Sequence, residues 1–224
     1  MDPILEVKNI TKVYGEGVTA VVAVDSVTLT LNKYEVLLIM GPSGSGKTTL
    51  LSIMGCILRP TQGEVMLNGE VVSSLPEDSF PFIRKQYLGF VFQSFNLFPS
   101  LTAAENIEVV LRLKGLNRRE IGLKALALLE KVGLAKRAHS YPKELSGGEQ
   151  QRVAVARALA GDPSIILADE PTGNLDSKTG KEILELIRDF AEESGKAVVI
   201  VSHDPKAETL AHRIVFLEDG RLKG

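Results

Sequence analysis

Apolar and polar residues alternate over Ile4–Val7 and Val27–Leu31, a period of two that predicts half-buried antiparallel strands. Val65–Leu67, then Gly69, Val71 and Val72, continue that character. Four other segments run apolar without a break: Val36–Met40, Gly89–Phe92, Ile165–Ala168 and Ala197–Val201. Short uniform runs of this kind suit the buried central strands of a parallel sheet. Helical periods lie between them. One predicted helix spans Lys47–Leu58 and stops at Arg59, where Pro60 disfavours the helical conformation. Over Leu101–Ala160 the spacing is helical, with Ile121, Ala125, Leu128, Leu129 and Val132 sharing one face. Val153, Ala156, Leu159 and Ala160 share another. A last helix over Lys178–Ser194 turns Ile183, Ile187 and Phe190 inward and meets Gly195 just past its end. The β/α pattern breaks off and then resumes at Ile165, so the helical stretch reads as an insertion in one α/β domain over 1–224. The core then covers about 1–93 and 160–224 with an antiparallel β subdomain, and the helical subdomain about 94–159.

Composition narrows the class. With 44% apolar residues, 224 residues can bury a substantial core. Twenty-six basic against 28 acidic residues leave −2, so no global field argues for nucleic acid or anionic lipid. Arg112, Lys114, Arg118 and Arg119 form a modest basic run that reads as solvated surface. The single cysteine, Cys56, falls inside the predicted Lys47–Leu58 helix and reads as a buried inert thiol. Met40, Met54 and Met66 sit in apolar contexts and read as packing. No apolar run approaches the roughly 20 residues of a membrane span. The start, Met1-Asp-Pro-Ile-Leu-Glu, shows no apolar signal core. A non-secreted protein of a reducing compartment is expected.

Gly41, Pro42, Ser43, Gly44, Ser45, Gly46, Lys47 and Thr48 match G-x-x-x-x-G-K-[ST], between an apolar strand and a helix. Glycines there let backbone N–H groups turn inward around a β-phosphate, and the helix N-terminus adds its positive dipole end. Lys47 is placed to reach the β- and γ-phosphates, the Thr48 hydroxyl to ligate Mg²⁺, and Thr49 continues the cradle. Ile165–Asp169 is a buried strand ending in two acids. Asp169 is suited to hold Mg²⁺ through water, and Glu170 to position or deprotonate an attacking water.

Leu145-Ser-Gly-Gly-Glu-Gln150, followed by Gln151-Arg-Val-Ala-Val-Ala-Arg-Ala-Leu159, makes the sequence specific. On these residues and the phosphate loop it closely resembles the nucleotide-binding subunit of ATP-binding cassette transporters, over essentially the whole chain. The resemblance implies a P-loop NTPase (RecA-like) α/β core with an antiparallel β subdomain and an inserted α-helical subdomain. Ser146 and Glu149 also stand at capping-box spacing, which predicts a helix start there. In the family, that glycine-flanked start faces the γ-phosphate bound by the opposite subunit. Ser146, Gly147 and Gly148 would therefore act across a dimer interface. The acid Glu149 departs from the family's commonest form. The resemblance further implies that Gln93 senses Mg²⁺ and the attacking water and that Asp176 couples the two nucleotide sites. It also implies that His203 donates to the γ-phosphate and that Tyr14, 27 residues before Gly41 (41 − 14), stacks on adenine.

Phe95, Leu97, Phe98 and Leu101 form an apolar set beside Gln93 that can fold inward or line a groove for a partner helix. The strings around Phe95 and Leu145 resemble the branch of lipoprotein-releasing, macrolide-exporting and cell-division complexes. The implied function is an ATP-hydrolysing subunit whose two copies close on Mg²⁺-bound ATP and drive a separate membrane permease, from the cytoplasmic face of the membrane. A soluble cassette acting on nucleic acid or ribosomes is the alternative; the single cassette, without coiled-coil arm or basic face, disfavours it. A small-molecule kinase on the same loop leaves Leu145–Gln150 and His203 unexplained.

Overall fold

Three of the four uniform apolar runs lie inside one parallel sheet, and the reason for their uniformity is burial on both faces. The computed structural model describes residues 3–223, the side chain of Ser194 excepted. Met1 and Asp2, which belong to the stretch read for a signal core, lie outside the described residues. In the strand β3 (Val36–Met40), Val36, Leu38 and Met40 enter one apolar core while Leu37 and Ile39 enter a second. The strands β7 (Ile165–Asp169) and β8 (Ala197–Ser202) divide their side chains in the same way. With β6 (Leu88–Phe92), β9 (Arg213–Glu218) and β10 (Arg221–Lys223) they form a six-stranded sheet, ordered β10-β9-β3-β8-β7-β6. All its pairings are parallel except β9 with β10. The expected central position of Gly89–Phe92 is corrected: β6 is the sheet's edge, and its half-buried Phe90 and Phe92 stack at 5.7 Å.

A second, antiparallel sheet contains β1 (Leu5–Tyr14), β2 (Val21–Leu31), β4 (Gln62–Leu67) and β5 (Glu70–Val71), ordered β2-β1-β4-β5. β1 and β2 run further than their alternating parts because the pairing continues through bulges to Tyr14 opposite Val21. The helix α1 (Lys47–Met54) packs beneath this sheet; Leu50, Leu51, Ile53 and Met54 are buried there. It ends at Met54, not at Leu58. Gly55 lies so close to Phe90 that an added Cβ would meet the ring at 2.6 Å, and Cys56 turns to φ 51°. Cys56 therefore sits in a tight turn, not in the helix, although it is buried as expected, and desolvation pushes its thiol up to about 11.

The other face carries α3 (Ala103–Leu113), α4 (Arg118–Lys131), α5 (Gly147–Ala160) and α6 (Ser177–Ser194); α2 (Phe80–Tyr87) leads into β6. Capping boxes start α3 at Thr102, α4 at Asn117 and α5 at Ser146, the last at the predicted Ser146–Glu149 pair. On α4, Ile121, Ala125 and Leu129 are buried while Leu128 is only half-buried. Gly195, at φ 64°, closes α6 as a left-handed cap. No helix among the described residues is long and apolar enough to cross a membrane.

Candidate functional site

The parallel strands end together. Met40 pairs with Ser202, Phe92 with Asp169 and Asp169 with Val201, so the segments that follow emerge at one edge. Open α/β sheets bind ligands at this edge. The loop after β3 is held by close backbone contacts. A Cβ on Gly41 would stand 2.0 Å from the Leu217 carbonyl oxygen; one on Gly46, at φ 99°, would stand 2.1 Å from that of Ala23. The glycines therefore let the loop wedge between the two sheets.

A cleft of 560 Å³ opens there, lined by the phosphate loop with Ala23 and Thr49, and by Lys47, Thr48, Gln93, Glu170 and His203. Lys47 is 6% exposed, and its ammonium donates to the Gly41 and Pro42 carbonyls at 2.8 and 2.9 Å. The Thr48 hydroxyl donates to Asp169 Oδ1 at 3.0 Å. Burial pushes the Asp169 carboxyl up, and neighbouring Glu170 adds to that. Glu170 adopts φ 44°, fixed by its amide donating to the Val201 carbonyl at 2.9 Å. Its carboxylate lies 3.9 Å from the Lys47 ammonium and accepts from the Ser202 hydroxyl and the His203 amide, both at 3.3 Å. His203 Nδ1 stands 2.9 Å from the other carboxylate oxygen. Gln93 lines the same cleft, its amide 3.4 Å from Asn174 Oδ1, and Asn174 donates back to the Gln93 carbonyl at 3.0 Å.

These residues fit a nucleotide's phosphates. The first amides of α1 face the loop with no side-chain cap at Gly46, and the buried Ser45 hydroxyl has no partner among the described residues. Lys47 is satisfied chiefly by its own loop, so one cation and several N–H donors await an anion.

Three groups of expected residues lie elsewhere. Tyr14 is 42% exposed at the end of β1, outside the cleft lining, with the Lys12 ammonium 5.4 Å from its ring. Ser146, Gly147 and Gly148 also do not line it. Gly147 lies against Leu175 and Phe95, and a Cβ on Gly148 would meet Thr179 at 2.4 Å. Asp176 caps α6, accepting from Lys178 and Thr179 amides at 3.0 and 3.1 Å. The hydroxyl of Ser202, the amide of Asn174 and the backbone of Ala23 belong to the site without any advance signal beyond neighbouring a motif.

A second concavity, of 540 Å³, lies between α2, β6 and α3. Phe90, Phe92 and Phe98 line it, with Phe98 48% exposed. Asn106, fully buried on α3, holds the loop behind Phe98: it accepts from the Phe98 amide at 2.7 Å and donates to the Leu101 carbonyl at 3.0 Å. Phe95 and Asn96 take φ 60° and 50°, and the half-buried Arg157 guanidinium of α5 donates to both their carbonyls, at 2.8 Å for Phe95. The apolar set thus splits: Phe95 and Leu97 are half-buried, whereas Phe98 faces outward.

A two-layered α/β fold whose strand edge carries a phosphate loop, a strand-end carboxylate pair and a histidine defines a P-loop nucleoside triphosphatase. The family model described as "ABC transporter" matches residues 24–173. An uncharacterized ABC transporter ATP-binding protein of Thermotoga maritima is 48% identical over 100% of this chain and 95% of its own length. The macrolide export ATP-binding/permease protein MacB of Hyphomonas neptunium is 44% identical over 98% of the chain, which spans 34% of that longer protein. A dimeric post-hydrolysis structure of an ATP-binding cassette from Methanocaldococcus jannaschii, bound to ADP and Pi, superposes with a TM-score of 0.91. It is 45% identical, covering 98% of this chain and 97% of that one. The chain belongs to the ABC transporter family, as its ATP-binding, ATP-hydrolysing subunit.

Proposed function

We propose that this chain is half of an ATP-driven clamp that closes head-to-tail on a second copy and moves a separate membrane permease. The observation that carries the reading is a division. The phosphate loop, Glu170, Gln93 and His203 converge on one cleft, with Asp169 bonded to its Thr48, while the glycine-flanked start of α5 lies apart from it. Each chain then holds one complete phosphate cradle and one helix N-terminus in search of an anion. A γ-phosphate between the loop of one copy and Ser146–Gly148 of the other satisfies both. The dimeric structure of the similar cassette, with ADP and Pi bound, supports this arrangement.

In the hydrolytic step Lys47 gives up its loop carbonyls and turns its charge on the β- and γ-phosphates. Thr48 and Asp169 would hold Mg²⁺, with Gln93 contacting it; bound there, the ion neutralises developing phosphate charge. Glu170 accepts a proton from the attacking water, and His203 orients that carboxylate through Nδ1. Tyr14, at the end of β1 outside the cleft lining, would offer adenine an aromatic face, and Asp176 would link one site's α6 cap to the facing copy. We read 94–159 as the helical subdomain that carries α5 into that interface. The Phe98 concavity takes a cytoplasmic helix of the permease, which holds the chain at the inner face of the membrane. The pairing of ATP-binding and permease regions in MacB supports such a partner.

The test uses the chain's single thiol. In a Cys56→Ser background, Ser43→Cys and Ser146→Cys are combined and the protein oxidised with and without Mg·ATP. A disulfide forms readily only when the two Cα atoms come within about 7 Å. ATP-promoted cross-linking to twice the monomer mass is the expected result. A bond formed only within the monomer rejects the shared site.

A further inference from the structure

The concavity between α2, β6 and α3 is basic in a chain that is slightly acidic overall. The whole chain carries −2, yet this groove is lined by Arg84, Lys85, Lys114 and Arg157 and by no acidic side chain. Two of the four cations are committed. Arg84 donates to the Cys56 carbonyl at 2.6 Å, and Arg157 is taken up by Phe95 and Asn96. Lys85 and Lys114 are not. Lys85 is exposed, and Lys114 reaches only the Gln86 carbonyl, at 3.5 Å. The nearest acid, Asp162, is held by Lys196 at 2.6 Å, and Lys196 itself adds positive charge toward Lys114. Desolvation first, and then Lys85 and Lys196, push the Lys114 ammonium down, against the pull of Asp162. Two neighbouring cations on an apolar wall, within reach of only Asp162, which Lys196 already pairs, make a surface whose complement is defined: apolar on one side and anionic beside it.

Building on the reading that this groove docks a permease helix, we infer that the docking helix is amphipathic and acidic, setting Glu or Asp against Lys85 and Lys114 while its apolar face covers Phe90, Phe92 and Phe98. The apolar contact provides the area, and the charge pair selects the partner and its direction in the groove. Exposed ion pairs are individually weak. Two of them, partly desolvated by the helix, change affinity about tenfold and depend on salt.

The probes are three synthetic amphipathic helices with an identical Leu/Ile face and a polar face of Glu, Gln or Lys, labelled and titrated by fluorescence anisotropy against the full chain. The expected order is Glu tightest, Gln intermediate and Lys weakest, with about tenfold between the extremes at low salt and convergence at high salt. In Lys85→Glu/Lys114→Glu the order reverses, and in Phe98→Ala all three weaken together. A melting temperature within a few degrees of the parent shows that each variant is folded. If all three helices bind equally and Phe98→Ala still weakens them, the groove docks helices but the acidic inference is wrong. If a Glu preference survives the double charge reversal, the selecting charge lies elsewhere and the inference is overturned. If none of the helices binds, the docking reading itself fails and takes the inference with it.

Discussion

Asn106→Ala tests how the outward Phe98 is held. Asn106 is fully buried in the first turn of α3 and serves a loop that has little else to bond with. Its amide also donates to Phe98 and Thr102 carbonyls at 3.2 and 2.9 Å. Those two have substitutes: the Leu101 amide reaches the Phe98 carbonyl at 3.1 Å, and the Asn106 amide reaches that of Thr102 at 2.9 Å. Truncation therefore orphans two backbone groups, the Phe98 N–H and the Leu101 carbonyl. Each unsatisfied buried group costs about 1–3 kcal/mol, so about 4 kcal/mol together. Alanine's better helix propensity returns about 0.6 kcal/mol. The net, about 3 kcal/mol, lowers the melting temperature of a chain this size by about 6–12 °C. Thermal and urea unfolding read the shift directly. ATPase activity of the isolated chain, assayed well below both midpoints, should stay within twofold, because Asn106 lies outside the phosphate cleft. Binding of the acidic helix should weaken with Phe98 no longer anchored. A midpoint within 2 °C of the parent would refute the account, since it would mean that water satisfies the loop as well as Asn106 does.

Three further outcomes follow from the cleft and the core. Glu170→Gln keeps the shape and loses the proton acceptor, so Mg·ATP binding should persist while turnover falls at least a hundredfold, and an ATP-dependent dimer should accumulate on size exclusion; turnover within a few-fold of the parent rejects Glu170 as the base. Lys47→Ala removes the buried cation of the cradle, worth about 1.5–3 kcal/mol for charged hydrogen bonds, and should weaken a fluorescent ATP analogue about ten- to hundredfold; an unchanged affinity means that Gly41–Thr48 is not the phosphate cradle. Cys56, with its thiol raised to about 11, carries about one thiolate in a thousand near pH 8, so a thiol reagent should label it only after denaturant opens the fold; rapid labelling of the native chain contradicts its burial.

What the sequence disclosed and what it hid divide along a physical line. The strands β3, β7 and β8 were readable because two-sided burial makes every position apolar. The Ser146 helix start was readable because a capping box is a local, four-residue device. The end of α1 was not. It is set by Gly55 meeting the Phe90 ring, a contact between segments 35 residues apart (90 − 55) that no local period encodes. The edge position of β6 was hidden likewise, since strand order follows from tertiary pairing, not composition. Within the site, loop glycines and strand-end acids announce themselves by spacing. The hydroxyl of Ser202 and the amide of Asn174 do not, because a single polar residue near a motif is ordinary.

One helix, α5, makes hydrogen bonds near both concavities. α5 begins at Ser146, beside Leu175 and Thr179, and its buried Gln151 donates to the Pro171 carbonyl at 2.7 Å, one residue beyond Glu170. Near its other end Arg157 holds the carbonyls of Phe95 and Asn96, two left-handed residues that directly follow Gln93 and Ser94. A helix transmits displacement along its axis with little loss, whereas the consecutive left-handed residues are positions that side chains adopt at a cost. Phe98 follows this Arg157-clamped loop, and Gln93 precedes it. The loop beside the groove and the segment that follows Glu170 are thus both hydrogen-bonded to one helix, through Arg157 and Gln151.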